Sequence, residues 1–479
     1  MCLVLLAVLA AALVLYASRH GVETSADSSV YVGTANSVAA GHGLNVPFRY
    51  YPLGHVGIGT PPPGASAPPP TPLVVYAPLG PLLLAIGGHP IGTGRVEDAL
   101  FVALGVLVAG ALVLAETDEL WLAAAAEIVL SFSLVFLLSD VGTTSAAFFL
   151  AVVALAAVLR HLEAPRTALL VVAALAIGLG TVERFASGGL IVWGVLALRH
   201  RRRDAITLFV LSSLPVGGWW AYEQVSGRST GHYLGFHLQP DLHDGVRTIA
   251  GWILPSNSPL KLEVVGAAAV VAVVALLAVR TRSRTARLLV GFALVQVVIL
   301  EIAITLFDAG VTLDPIEFIP IFTALVLAVA CALPRTRALT VIAVVVVAAS
   351  VLAGSVDLVT NPTRQYAQPA WVHSPIMADV RELAARAVVY TNAPDAIYLL
   401  DHRATSSIPE TVDFSTLKPN PAFEAQLREI KRTLSERQGY VVYVRGLDRS
   451  FVPSESALTH LLPLRRVRNT SDGAVYSLR

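Results

Sequence analysis

Seven ionisable residues stand at the edges of long apolar runs: Asp27, Asp140, Glu183, Arg184, Asp308, Asp314 and Glu317. Charge next to hydrocarbon is costly, so such residues are functional candidates unless a local role accounts for them. Carboxylates and an arginine gathered on one face suit a group transfer. A carboxylate can take the proton from an attacking hydroxyl, a guanidinium can hold a leaving phosphate through its paired N–H donors, and further carboxylates can hold a divalent cation. Each residue also has a plainer structural reading. Asp27 could cap the helix that follows it. Asp140 lies in the turn Ser139-Asp140-Val141-Gly142, where Asp is common. Glu183 and Arg184 could pair with each other, and Asp314 and Glu317 flank a helix start at Pro315, which suits the macrodipole. His42, His55, His232 and His237 fall in loops without metal-ligand spacing; His55 stays a further candidate beside Asp314 and Glu317, the others read as surface residues.

The elements that must position these groups are set by composition. Of 479 residues 55% are hydrophobic and 14% charged, with a mean hydropathy of +0.67. A soluble domain carries roughly 25% charged residues, so a soluble, nucleic-acid-binding or disordered chain is excluded. The net charge of +1 selects no polyanionic partner. The two cysteines, Cys2 and Cys331, lie in or beside apolar runs, which argues against a disulfide framework or a thiolate metal site.

Runs long enough to cross hydrocarbon lie at 3–18, 98–115, 120–138, 142–160, 167–182, 186–198, 205–222, 262–279, 287–306, 316–333 and 337–355, the sixth being the shortest. The chain therefore reads as an α-helical polytopic protein of the plasma membrane with about eleven spans. The first run lacks a basic leader segment and reads as a retained helix rather than a cleaved signal peptide. Arginines crowd alternate short loops: Arg160 and Arg166, Arg199 to Arg203, Arg280 to Arg287, Arg335 and Arg337. Short loops rich in arginine stay in the cytoplasm. The opposite loops, the long segments 19–97 and 223–261 and the C-terminal tail then face outward, and the candidate residues face outward with them. The acidic loop Glu116 to Glu119 falls on the arginine-rich side, and Arg19 on the other. Acidic residues weigh little in this rule.

Within 19–97 the spacing of Val30, Tyr31, Ala35, Val38 and Ala39 predicts an amphipathic interfacial helix ending at Gly41-His42-Gly43. A mobile polyproline-like stretch follows over 59–70, then a second interfacial helix over 76–85. From about 357 the charge rises. Ala387 to Tyr390, Ala396 to Leu400 and Tyr440 to Val444 read as buried strands, and 421–437 as an amphipathic helix. This makes 1–356 a membrane domain and 357–479 a small extracytoplasmic α/β domain.

The order of several motifs is more specific than any one of them. Asp27-Ser28-Ser29-Val30-Tyr31 with Ala39-Ala40-Gly41-His42-Gly43-Leu44, then Tyr76-Ala77-Pro78-Leu79-Gly80-Pro81, Ser139-Asp140, Val182-Glu183-Arg184-Phe185 and Trp219-Trp220-Ala221-Tyr222 resemble the GT-C glycosyltransferases, in particular the protein O-mannosyltransferase and lipid A aminoarabinose transferase group. The resemblance covers roughly residues 20–330. It implies a GT-C-like membrane domain and inverting transfer of a sugar from a polyprenyl-phosphate-linked donor, on the outer face, to a hydroxyl of a lipid, glycan or protein acceptor. Asp27 matches the family's catalytic acidic residue of the first loop. Asp140 matches a second acidic position that binds metal or orients substrate, beside Glu183, with Mg or Mn as the implied divalent cation. Arg184 matches an arginine beside the lipid phosphate. The family often has two adjacent acidic residues where this chain has Ala26-Asp27-Ser28. Membrane lipid is an implied partner and nucleic acid is not. Two other classes stay open: a secondary transporter, which predicts midplane carboxylates and symmetric halves, and a non-catalytic lipid-binding or assembly protein with the same fold.

Overall fold

The computed structural model describes residues 1–50, 60–73, 76–225, 242–252, 254, 259–306, 315–332, 337–360, 365–414, 417–447 and 449–479. Asp308, Asp314, His55, His232 and His237 lie outside the described residues. Each apolar run named above coincides in large part with a helix. The first part of the chain holds α1 (Cys2–Ala17), α2 (Ala26–Ala39), α3 (Leu79–Ala85), α4 (Pro90–Thr117), α5 (Leu120–Leu134), α6 (Thr144–Glu163), α7 (Thr167–Glu183), α8 (Gly189–Ala197), α9 (Arg202–Val225), α10 (Leu242–Ala250), α11 (Leu260–Arg280), α12 (Arg284–Leu306), α13 (Ile319–Ala332) and α14 (Arg337–Thr360). Among the described residues α4, α6, α9 and α12 are by themselves long and apolar enough to cross a membrane, and shorter apolar helices accompany them. A large cluster that includes Val106, Leu130, Phe148, Leu155, Ile177, Leu208, Phe292 and Leu327 joins them into one bundle. The helices are also apolar on their outer faces, as at Phe209, Leu214 and Val298, which fits a hydrocarbon surround.

The short sixth run is not one continuous α-helix. A 3₁₀ turn at Phe185–Gly188 precedes α8, and Gln296 of α12 donates to the Ala186 carbonyl at 2.7 Å, satisfying a group that a continuous helix would have used.

The C-terminal part contains α15 (Pro369–Val372), α16 (Pro375–Glu382), α17 (Pro394–Asp401), α18 (Phe423–Glu436) and α19 (Glu455–Leu461), around strands β3 (Val388–Thr391), β4 (Ser406–Ser407), β5 (Gly439–Val444), β6 (Leu464–Asn469) and β7 (Gly473–Leu478). The sheet order is β4-β3-β5-β7-β6; β3 runs parallel to β4 and β5, while β7 is antiparallel to β5 and β6. The run Ala396 to Leu400 is helical, not a strand. Pro394 at the first helical position presets φ, and a short apolar run does not by itself distinguish a buried helix from a strand.

Two further readings change. Helix α2 begins at Ala26 and is buried on almost all sides from Ser28 to Ala35, so it is an internal element rather than one lying on a surface. It is enclosed by α3 and α17. The proline-rich stretch is held: Thr71–Pro72 pairs with Asn45–Val46 as a small antiparallel ribbon, β2 with β1, and Arg437 donates to the carbonyls of Pro62 at 2.8 Å and Ala65 at 3.1 Å.

Candidate active site

The start of α2 leaves Asp27 free for chemistry. Ser25 is the N-cap: its hydroxyl accepts from the Ser28 N–H at 3.2 Å, and the Ser28 hydroxyl accepts from the Ser25 N–H at 3.0 Å. This reciprocal arrangement satisfies the first free donors of the helix, so Asp27 is not the cap. It sits in the first turn, where the helix end favours a negative charge, and accepts a hydrogen bond from the Tyr76 hydroxyl at 2.9 Å. Tyr31, one turn along, meets the Tyr76 ring edge-on at 5.6 Å. Asp27 is open to solvent but recessed among protein groups. Desolvation pushes its carboxyl above the ordinary carboxylate range; the Tyr76 hydrogen bond and Arg184 oppose the rise, and Glu317 and Asp395 add to it.

Asp140 reaches the same region from the α5–α6 connection. The Val141 N–H donates to the Glu23 carbonyl at 3.0 Å, and Glu23 and Asp140 form an isolated parallel bridge. The segment just before α2 thereby fixes the Asp140 turn. Burial, then the charge of Glu23, push the Asp140 carboxyl up to about 7; Arg184 and Thr144 counter this and Asp27 adds to it.

Glu183 and Arg184 do not pair with each other. Helix α7 ends at Glu183, and the extended backbone of Arg184 turns its side chain elsewhere. Arg184 donates to both carboxylate oxygens of Glu317, through Nη2 to Oε1 and through Nε to Oε2 at 3.4 Å. Glu183 is 0% exposed and its two oxygens have no hydrogen-bond partner. Gly80 of α3 covers it: a Cβ there would lie 2.8 Å from Thr143 Cγ2 and 3.3 Å from Glu183 Oε1. Glycine is what lets α3 sit against the carboxylate and the Asp140 connection together.

Asp27, Asp140, Arg184 and Glu317 thus act on one another electrostatically, with Glu183 alongside. Several members of the neighbourhood escaped the sequence reading. Tyr76 stood within a quoted motif without being given a role. Asp98 of α4 is buried; its Oδ1 accepts from the Ser145 hydroxyl at 2.5 Å and its Oδ2 has no partner. Its position at the very start of an apolar run was the available signal. Asp395, which bears on Asp27 from the C-terminal domain, ends the segment Tyr390 to Asp395, which resembles the tails of some bacterial relatives, but only the tertiary fold brings it to Asp27. A separate cavity of about 320 Å³ lies at the opposite end of the bundle, lined by Glu116, Glu163, Arg284, Thr285 and Cys331 among others.

No family model matches the chain, and no curated protein matches its sequence. Among solved structures, the fold is similar to that of ArnT from Cupriavidus metallidurans bound to undecaprenyl phosphate. The match covers 99% of this chain and 97% of that chain, with a TM-score of 0.65 and 12% sequence identity. The chain therefore shares the fold of that structure over nearly its whole length, and among the described residues four helices are long and apolar enough to cross a membrane.

Proposed function

We propose that this protein is an inverting glycosyltransferase that moves a sugar from a polyprenyl-phosphate-linked donor to an acceptor hydroxyl, at the arginine-poor and outward-facing end of the bundle. The observation that carries this reading is Asp27: a carboxylate relieved of capping by Ser25, open to water, and placed electrostatically beside Arg184. The shared fold with a protein whose structure holds undecaprenyl phosphate supports the donor class. In the transfer, the acceptor O–H gives its proton to the Asp27 carboxylate as its oxygen bonds to the anomeric carbon. The bond from that carbon to the phosphate oxygen breaks, and polyprenyl phosphate leaves with both electrons. Arg184, oriented by Glu317, stabilises the negative charge of the leaving phosphate. The acceptor, whether lipid, glycan or protein, approaches from the Asp27 side.

The resemblance implies a divalent cation held by Asp140 and Glu183, which would supply positive charge to the leaving phosphate. Among the described residues no group of three or more His, Cys, Asp or Glu could hold a metal ion. Asp140 and Glu183 orient the donor.

Asp27→Asn in purified, folded protein given a lipid-linked sugar should lower kcat/KM by about 10² to 10⁴, the usual worth of a general base. Undiminished transfer overturns the assignment. Binding of polyprenyl phosphate by the wild type without any turnover would instead favour the non-catalytic reading.

A further inference from the structure

The face of the C-terminal domain nearest Asp27 carries a buried ion pair. Asp395 is 0% exposed and stands in the first turn of α17, the helix that packs along α2. Its Oδ2 accepts from Arg449 Nη2 at 2.6 Å and from the Tyr366 hydroxyl at 2.5 Å. Arg449 Nη2 also approaches the Tyr366 hydroxyl at 3.2 Å, Nη1 donates to the Asn392 carbonyl at 2.5 Å, and the guanidinium lies over the Tyr50 ring, 5.6 Å from its centroid.

Two routes of hydrogen bonds and close packing tie this pair to the proposed site. Tyr366 donates its N–H to the Thr24 carbonyl at 3.1 Å, while the adjoining Glu23 bridges to Asp140; the stretch 23–24 is thus a middle strand between the Asp140 turn and the entry to the C-terminal domain. Along α2, Gly33 approaches Tyr398 so closely that a Cβ would lie 3.2 Å from its ring, and Asn36 donates to the Tyr398 hydroxyl at 3.3 Å. Both helices carry an aspartate in the first turn, and the two aspartates interact electrostatically.

We propose that Arg449 and Asp395 are positioning residues for the transfer, a balanced charge pair that seats the C-terminal domain on α2 and sets the electrostatic environment of Asp27. This rests on the reading of Asp27 as the base. A domain that only covered the site would need neither charge, whereas a buried pair missing one partner exposes its neighbours to the other's full charge. Among the described residues the groups facing Asp27 are Tyr31 on its own helix, Tyr76 before α3, Asp140 on the α5–α6 connection, Arg184 at the end of α7, Glu317 before α13, and Asp395 with Arg449, Tyr366 and Tyr50 behind it. Removing one member of the pair changes the last contribution alone.

The test is an infrared pH titration of the Asp27 carboxyl band, assigned by its loss in Asp27→Asn, on full-length wild type, Asp395→Asn, Arg449→Gln and Arg449→Lys. Asp395→Asn leaves a cation behind and should lower the midpoint. Arg449→Gln leaves an anion behind and should raise it. Each change is expected at about 0.5 to 1 pH unit, below the roughly 1 to 3 units of a charge in direct contact. Arg449→Lys, which keeps the charge, should stay near the wild-type midpoint. Midpoints that coincide, or that move in the same direction in the Asn and Gln variants as a general loosening would make them, overturn the inference. The acid limb of transfer activity should follow the same order. Opposite midpoint shifts in the two variants, together with a wild type that transfers no sugar, would keep the coupling and sink the glycosyltransferase reading, so the two failures are distinguishable.

Discussion

At the scale of single residues the site depends on which carboxylates are left unused by structure. Ser25 takes the capping role that Asp27 would otherwise fill, and Glu317 takes the pairing that Glu183 would otherwise supply to Arg184. A base works only when ionised, and burial raises Asp27, so its charged form is lost at a higher pH than for an ordinary carboxylate. Transfer should fall as pH drops through that raised value, with Asp140 adding a second ionisation at about 7. Tyr76→Phe removes a hydrogen bond that favours the charged form of Asp27. The acid limb of kcat/KM should therefore move to higher pH and activity at neutral pH should fall by about tenfold, the worth of one hydrogen bond to a charged group; a pH-rate profile identical to wild type would remove Tyr76 from the site. Asp27, Asp140, Glu183, Arg184 and Glu317 were all legible in the sequence because each stands at the same end of an apolar run. Their pairings were not, since Arg184 choosing Glu317 over its neighbour Glu183 follows from how α7 ends.

At the scale of elements, the length of the apolar runs located the bundle helices, the short sixth run being the exception. Short elements were harder: Ala396 to Leu400 became a helix through Pro394, and β6, with three arginines, and β7, which opens on Gly473-Ala474, gave little alternating signal. Within the site, the contact of α3 with the Glu183 and Thr143 side chains is sensitive to a single atom. Gly80→Ala places a methyl 2.8 Å from Thr143 Cγ2 and 3.3 Å from Glu183 Oε1. Overpacking of this kind costs about 1 to 3 kcal/mol. The bundle is extensive enough to tolerate that, so the variant should remain folded while transfer drops, because displacing α3 also displaces Tyr76 from Asp27. Paired measurements of thermal stability and initial rate check it: an unchanged rate would show that α3 does not position the site.

At the scale of the whole molecule, a rise in charge near residue 357 divides the chain by composition, yet its apolar packing crosses that line. Val30, Val46, Phe48 and Leu73 from the first long loop share a cluster with Val388, Tyr390, Tyr398, Ile430 and Val441 of the sheet domain. Tyr31, Val32 and Ala35 share another with Ile376, Val389 and Ile397. The helix that carries Asp27 is therefore built into the C-terminal domain as much as into the bundle, which composition cannot show because it reports solvation and not which faces meet. Tyr398 is the clearest bridge, stacked on Phe48 at 4.8 Å and against Gly33. Tyr398→Ala should cost about 3 to 5 kcal/mol, as other buried aromatic truncations do. If α2 and the sheet domain open as one unit, hydrogen exchange should accelerate in residues 26–39 as well as in 388–478, although the substitution lies far from α2 in sequence. Faster exchange confined to the sheet domain would mean that Asp27 is held by the bundle alone, and the charge pair behind it would then have no rigid path to the base.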